Sequence, residues 1–170
     1  MDQKNETQPD QQTIEEILNL YKSGKLNKAK KKIENCIKKF PKSFVLFNIL
    51  GGVYAGQDEL EVAINHHKKS VEINPDYAEG YNNLGIAFQK LGLFEEAVKN
   101  YKKTLKLKPD FSLAYNNLGV VLKSLNKLDE ALLTSKKAIE LDPKFADAHN
   151  NIGAILQDLG NYEEAYKFYK

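Results

Sequence analysis

The sequence predicts an all-α fold, an α-solenoid of stacked antiparallel helix pairs. Three observations point there. One residue pattern returns every 34 positions, marked by Pro41, Pro75, Pro109 and Pro143. A fixed period of that length builds a stack of like units, not one closed core. Within each period, apolar residues recur at helical spacing in two stretches. Between the stretches stands Gly24, Asp58, Gly92, Asn126 or Gly160. These residue types tolerate the left-handed backbone that a tight helix–helix turn requires.

Each element follows from the period, counted with Phe44, Ala78, Ser112 and Ala146 as first residues of units. The first helix carries its apolar stripe at positions 4, 7, 8 and 11. In the third unit these are Tyr81, Leu84, Gly85 and Phe88. The second helix uses positions 17, 20, 24, 27 and 28, with Ala29, Ala63, Ala97, Ala131 and Ala165 at position 20. Gly at 8 and Ala at 20 are small where two backbones cross, because overpacking would force the helices apart. The proline at position 32 cannot continue the second helix. Position 24 holds His67, Tyr101, Ser135 and Tyr169, so Ser135 is expected to leave a soft spot.

The implied organisation is a disordered lead-in over 1–12, an atypical capping unit over 13–43, full units over 44–77, 78–111 and 112–145, and a truncated unit over 146–170. The lead-in is polar, with no apolar run for a secretory signal. Thr13 and Glu16 form a T-x-x-E capping box at the expected helix start. Ile14, Ile17, Leu18 and Tyr21 form the first stripe. Lys170 falls inside a second helix. Tyr162, Ala165, Tyr166 and Tyr169 are therefore expected to face solvent or a partner. That end suggests a piece of a longer array, an end covered by another molecule, or self-association through the uncapped final helix.

The repeat resembles the tetratricopeptide (TPR) family, whose unit reads aromatic-x2-Leu-Gly-x2-Tyr, then Ala-x3-Phe, then Pro. Residues 81–88, YNNLGIAF, and 97–101, AVKNY, ending at Pro109, carry the likeness, which extends over about Asp10 to Lys170. The resemblance implies a right-handed superhelix, a right-handed α-solenoid, whose first helices line a concave groove. Residues off the core stripe would point into it. Position 5 reads Asn48, Asn82, Asn116 and Asn150, and position 6 reads Asn83, Asn117 and Asn151. An amide offers one acceptor and two donors, so a row of amides can grip peptide backbone whatever the side chains. The row is similar to the asparagine ladder of O-linked N-acetylglucosamine transferases. That likeness implies peptide contact by Asn83, Asn117 and Asn151.

The bottom-up alternative is that these amides bond adjacent repeats and fix their stacking. Both roles stay open for position 6. Position 5 is expected to face the groove. Gln89 and Lys123, at position 12, complete the expected peptide-binding set. The carboxylate clamp of chaperone adaptors is absent, since position 5 offers no Lys and position 9 (Gly52, Ile86, Val120, Ala154) no Asn.

Catalytic chemistry is nearly empty. No HxxxH, CxxC or HExxH spacing occurs, nor a phosphate-cradling glycine loop. No cofactor or metal is expected. His66, His67 and His149 read as core-edge residues, and Cys36 as a small buried thiol. One cysteine allows no intrachain disulfide and mildly favours a reducing compartment.

All 25 basic residues are Lys, at a net charge of +2. The Lys-rich stretch 22–42 reads as spread around a solvated helix face. Without Arg forks, no nucleic acid is expected. No segment can span a bilayer, so no membrane partner is expected, and the location expected is cytoplasmic. The function expected is a non-enzymatic interaction module that binds an extended peptide or partner segment in its groove. The alternative is a regulatory or substrate-presenting segment of a larger glycosyltransferase- or sulfotransferase-type enzyme.

Overall fold

A computed structural model describes residues 7–169. All regular elements among them are helices: α1 (Gln11–Lys22), α2 (Leu26–Lys39), α3 (Phe44–Gly56), α4 (Leu60–Ile73), α5 (Ala78–Lys90), α6 (Phe94–Leu107), α7 (Ser112–Ser124), α8 (Leu128–Leu141), α9 (Ala146–Asp158) and α10 (Tyr162–Phe168). The residues group into two compact units, one ending at Ala87 and one beginning at Phe88.

The turn chemistry follows the sequence. Gly24, Gly92 and Gly160 have φ of 71°, 77° and 79°, and Asp58 and Asn126 have φ of 64° and 57°. All five sit between the helices of a pair. Asp and Asn bear this conformation at modest cost because their short side chains bond locally. The second helices α2, α4, α6 and α8 each end two residues before a proline. Their last N–H closes onto Cys36, Ser70, Thr104 and Ala138 carbonyls.

In the first unit α1 packs on α2, α2 on α3 and α3 on α4, while α1 also reaches α3. Its core joins Ile17, Ala29, Ile33, Leu46, Ile49, Leu50 and Val53, with half-buried Cys36 against it. In the second unit α6 to α10 pack in the same serial way, and α7 reaches α9. The neighbour-and-next-neighbour pattern is that of a solenoid, in which each pair touches only the pairs beside it.

The small positions have steric reasons. A Cβ on Gly51 would lie 2.7 Å from the His67 ring, and one on Gly153 2.7 Å from the Tyr169 ring. A Cβ on Gly119 would collide with Ser135 Oγ. Position 8 is thus glycine because position 24 lies on it. Ala29, Ala63, Ala97 and Ala131 are fully buried.

Two expectations change at the ends. α1 starts at Gln11, not Thr13, because Asp10 caps it, its Oδ1 accepting from Thr13 N at 2.7 Å. Glu16 is drawn away from a capping box by Lys32, with which it pairs. Pro9 is buried, while residues 1–6 of the expected lead-in lie outside the described residues. At the other end Tyr162, Tyr166 and Tyr169 are exposed, but Ala165 is buried against Ile152 and Leu156. Position 20 faces the partner helix of its own pair and needs no further repeat to cover it.

Candidate functional site

The asparagine rows sit in the first helices, off the stripe that faces the core. Burial separates them. Asn48, Asn82 and Asn116 are buried, at 8%, 3% and 5% exposure. Asn83, Asn117 and Asn151 are half-buried. The expectation that position 5 opens to a groove is therefore corrected in three of four units. Only Asn150, in the last pair, is exposed.

Hydrogen bonds give the reason. Asn83 Nδ2 donates to Asn48 Oδ1 at 3.1 Å, and Asn151 Nδ2 donates to Asn116 Oδ1 at 2.7 Å. Each bond spans 35 residues, from position 6 of one pair back to position 5 of the pair before. The following pair thus covers position 5. The inter-repeat role left open by the sequence is present at these two steps. A buried amide must find partners, and the next repeat supplies them.

Asn48 belongs to a larger network. Its Nδ2 donates to the Tyr77 hydroxyl at 3.2 Å. Its Oδ1 also lies 3.0 Å from His67 Nδ1. The carbonyl can only accept, so the His67 ring carries its proton on Nδ1. Burial holds His67 down to a pKa of about 4, with His66 beside it acting the same way, so the ring is neutral near pH 7. Burial likewise raises the Tyr77 phenol. His67 and Tyr77 were not singled out as partners of Asn48 by the sequence. The available signal was a polar His in a slot that holds Tyr elsewhere, since a core imidazole needs a partner.

The remaining expected residues are engaged locally. Gln89 Oε1 accepts from the Tyr101 hydroxyl at 2.7 Å, and Gln157 Oε1 faces the Tyr169 hydroxyl at 3.4 Å. Where position 24 is Tyr, position 12 is Gln to receive it. Where position 24 shortens to Ser135, position 12 is Lys123, which pairs with Asp158 at 2.9 Å. Ser135 Oγ is buried without a partner. Position 9 (Gly52, Ile86, Val120, Ala154) is half-buried throughout, giving small and apolar ground beside the amides.

Chemically, side-chain amides can hydrogen-bond both the N–H and the C=O groups of a chain. Among the described residues no group of three or more His, Cys, Asp or Glu side chains is placed to hold a metal ion. No described helix is long and apolar enough to cross a membrane.

Comparison with known proteins bears on this geometry. Models of the tetratricopeptide repeat match residues 78–111 and 100–132, and a TPR repeat model matches 51–92 and 121–160. No curated protein matches the sequence. Among solved structures, the crystal structure of MamA aligns at TM-score 0.80 and 26% identity, over 89% of this chain and 88% of that one. PilF of Pseudomonas aeruginosa aligns at TM-score 0.83 and 20% identity, over 92% and 73%. YrrB, described as a TPR protein with an unusual peptide-binding site, aligns at TM-score 0.73 and 21% identity, over 96% and 84%.

Proposed function

The chain belongs to the tetratricopeptide repeat family, and we propose that it is a protein-interaction module whose position 6 asparagines hold the backbone of an extended peptide. One observation carries the reading. Asn83 and Asn151 are half-buried and each spends a single N–H on the preceding pair. That bond fixes the amide plane and leaves Oδ1 and the second N–H for a ligand. A preoriented amide loses less freedom on binding. Asn117 occupies the same position and the same degree of burial. Asn48 and Asn116 then act as positioning residues beneath Asn83 and Asn151. Asn150 extends the contact surface in the last pair. The description of YrrB as peptide-binding supports the same use of this fold.

The test uses a peptide selected from a random-peptide phage library on the wild-type chain. Replacing Asn83, Asn117 and Asn151 with Ala removes three backbone bonds, each about 1 kcal/mol net, so affinity should weaken on the order of a hundredfold. Circular dichroism confirms that the variant remains folded at the titration temperature. Unchanged affinity in a folded variant would remove the amide row from the binding site.

A further inference from the structure

The helix α2 carries a charge pattern that the groove does not use. Residues 22–42 hold nine Lys against Glu34 alone, in a chain of net charge +2. The structure corrects the reading that these lysines spread around the helix. At 100° per residue, Lys25, Lys28, Lys31, Lys32, Lys38 and Lys39 fall within a sector of about 140°. Ala29 and Ile33 are buried on the other side. Lys25, Lys28, Lys31, Lys38 and Lys39 are exposed and have no acidic partner among the described residues. Lys32 pairs with Glu16, and Lys30 lies over the Tyr54 ring at 4.4 Å.

This crest is costly to the fold. Like charges three and four residues apart repel along a helix. Acidic residues stabilise a helix start and basic ones oppose it. Each of α4, α6 and α8 has an acidic first turn, whereas α2 has none and carries Lys28 there. Lys38 and Lys39, in the last turn, are where the dipole favours cations, so the cost falls on the start and middle of the helix.

We infer that the exposed face of α2 is a docking surface for an anionic lipid bilayer. Three features favour that occupant. The charges are all ammonium groups, point charges on flexible stems that attract without demanding a fixed geometry. No large apolar side chain of residues 22–42 is exposed, so the face lacks the anchors on which protein interfaces depend. Acidic groups stand at the flanks, Glu34 on one side and Glu16 by Lys32 on the other. A flat surface meets the crest alone, whereas the walls of a nucleic-acid groove would press phosphates onto those flanks. Peripheral adsorption needs no spanning helix. Binding should be electrostatic, reversible and weakened by salt.

Vesicle flotation tests this, with phosphatidylcholine alone and with phosphatidylserine added. The variant with Lys28, Lys31, Lys38 and Lys39 replaced by Gln is compared with one in which Lys90, Lys102, Lys106 and Lys144 are replaced. Both lose the same charge from exposed sites. The wild-type chain and the second variant should float with phosphatidylserine vesicles and not with phosphatidylcholine. The α2 variant, short of four lysines, should partition roughly a thousandfold less. Equal loss in both variants would assign the effect to net charge and overturn the docking face, as would no flotation of the wild type. Tighter binding to duplex DNA or single-stranded RNA than to vesicles, lost in the α2 variant, would overturn it in favour of nucleic acid.

Discussion

Replacing Asn48 with Ala should cost about 3 kcal/mol, while the same change at Asn150 should cost almost nothing. Both residues occupy position 5 of a first helix. Asn48 is 8% exposed and bonds Tyr77, His67 and Asn83. Its loss strands the His67 N–H in a fully buried site, at about 1–3 kcal/mol. Tyr77 and Asn83 are half-buried and recover part of their bonding from water, so each adds about 0.5–1 kcal/mol. Asn150 is exposed and has no side-chain partner to lose among the described residues. The gain in helix propensity from Asn to Ala is common to both and cancels in the contrast. In a chain of this size about 3 kcal/mol lowers the melting temperature by about 6–12 °C. Thermal unfolding by circular dichroism reads the difference. Amide hydrogen exchange should show the loss concentrated in α3 to α5, since repeats lose stability locally. A melting temperature within about 2 °C of wild type for Asn48→Ala, or an equal fall for Asn150→Ala, would refute the network as described.

Two further outcomes follow from single buried groups. Ser135→Ala should raise stability by about 1 kcal/mol in urea unfolding, because Ser135 Oγ is buried unpaired against Gly119, and a loss would mean that the hydroxyl has a partner. His67 has a folded pKa of about 4, below its unfolded value of about 6.5, so the unfolded chain takes up the proton first. Stability is then full above the unfolded pKa and falls as pH drops towards about 4, by roughly 3 kcal/mol in all. His66 is shifted the same way by burial, so His67→Tyr, which places in this slot the residue found at Tyr101, should flatten the profile between pH 6.5 and 4.5 without abolishing its slope. An unaltered profile would move the titration elsewhere.

The sequence alone determined the helix pairs, their turns and their order. Those features depend on local rules that repeat: a left-handed residue such as Asp58 or Asn126, a proline that stops a helix, a glycine opposite a bulky position 24. Exact periodicity made each rule visible several times over. The start of α1 was less legible because Asp10 competes with Thr13 for the cap, and the winner depends on Lys32 claiming Glu16 from another helix. Tertiary structure decided which amide row is buried. Positions 5 and 6 are adjacent and both lie off the core stripe, by about 110° and about 150° at 100° per residue, so the pattern within one helix leaves both open to the groove. The next repeat tells them apart, by laying its own Asn83 or Asn151 over Asn48 or Asn116. In α2 helical spacing already gathers six lysines into one sector, and burial of Ala29 and Ile33 decides that this sector is the side left to water. A side chain's neighbours along the sequence fix its backbone; its access to water is fixed by whatever packs on top of it.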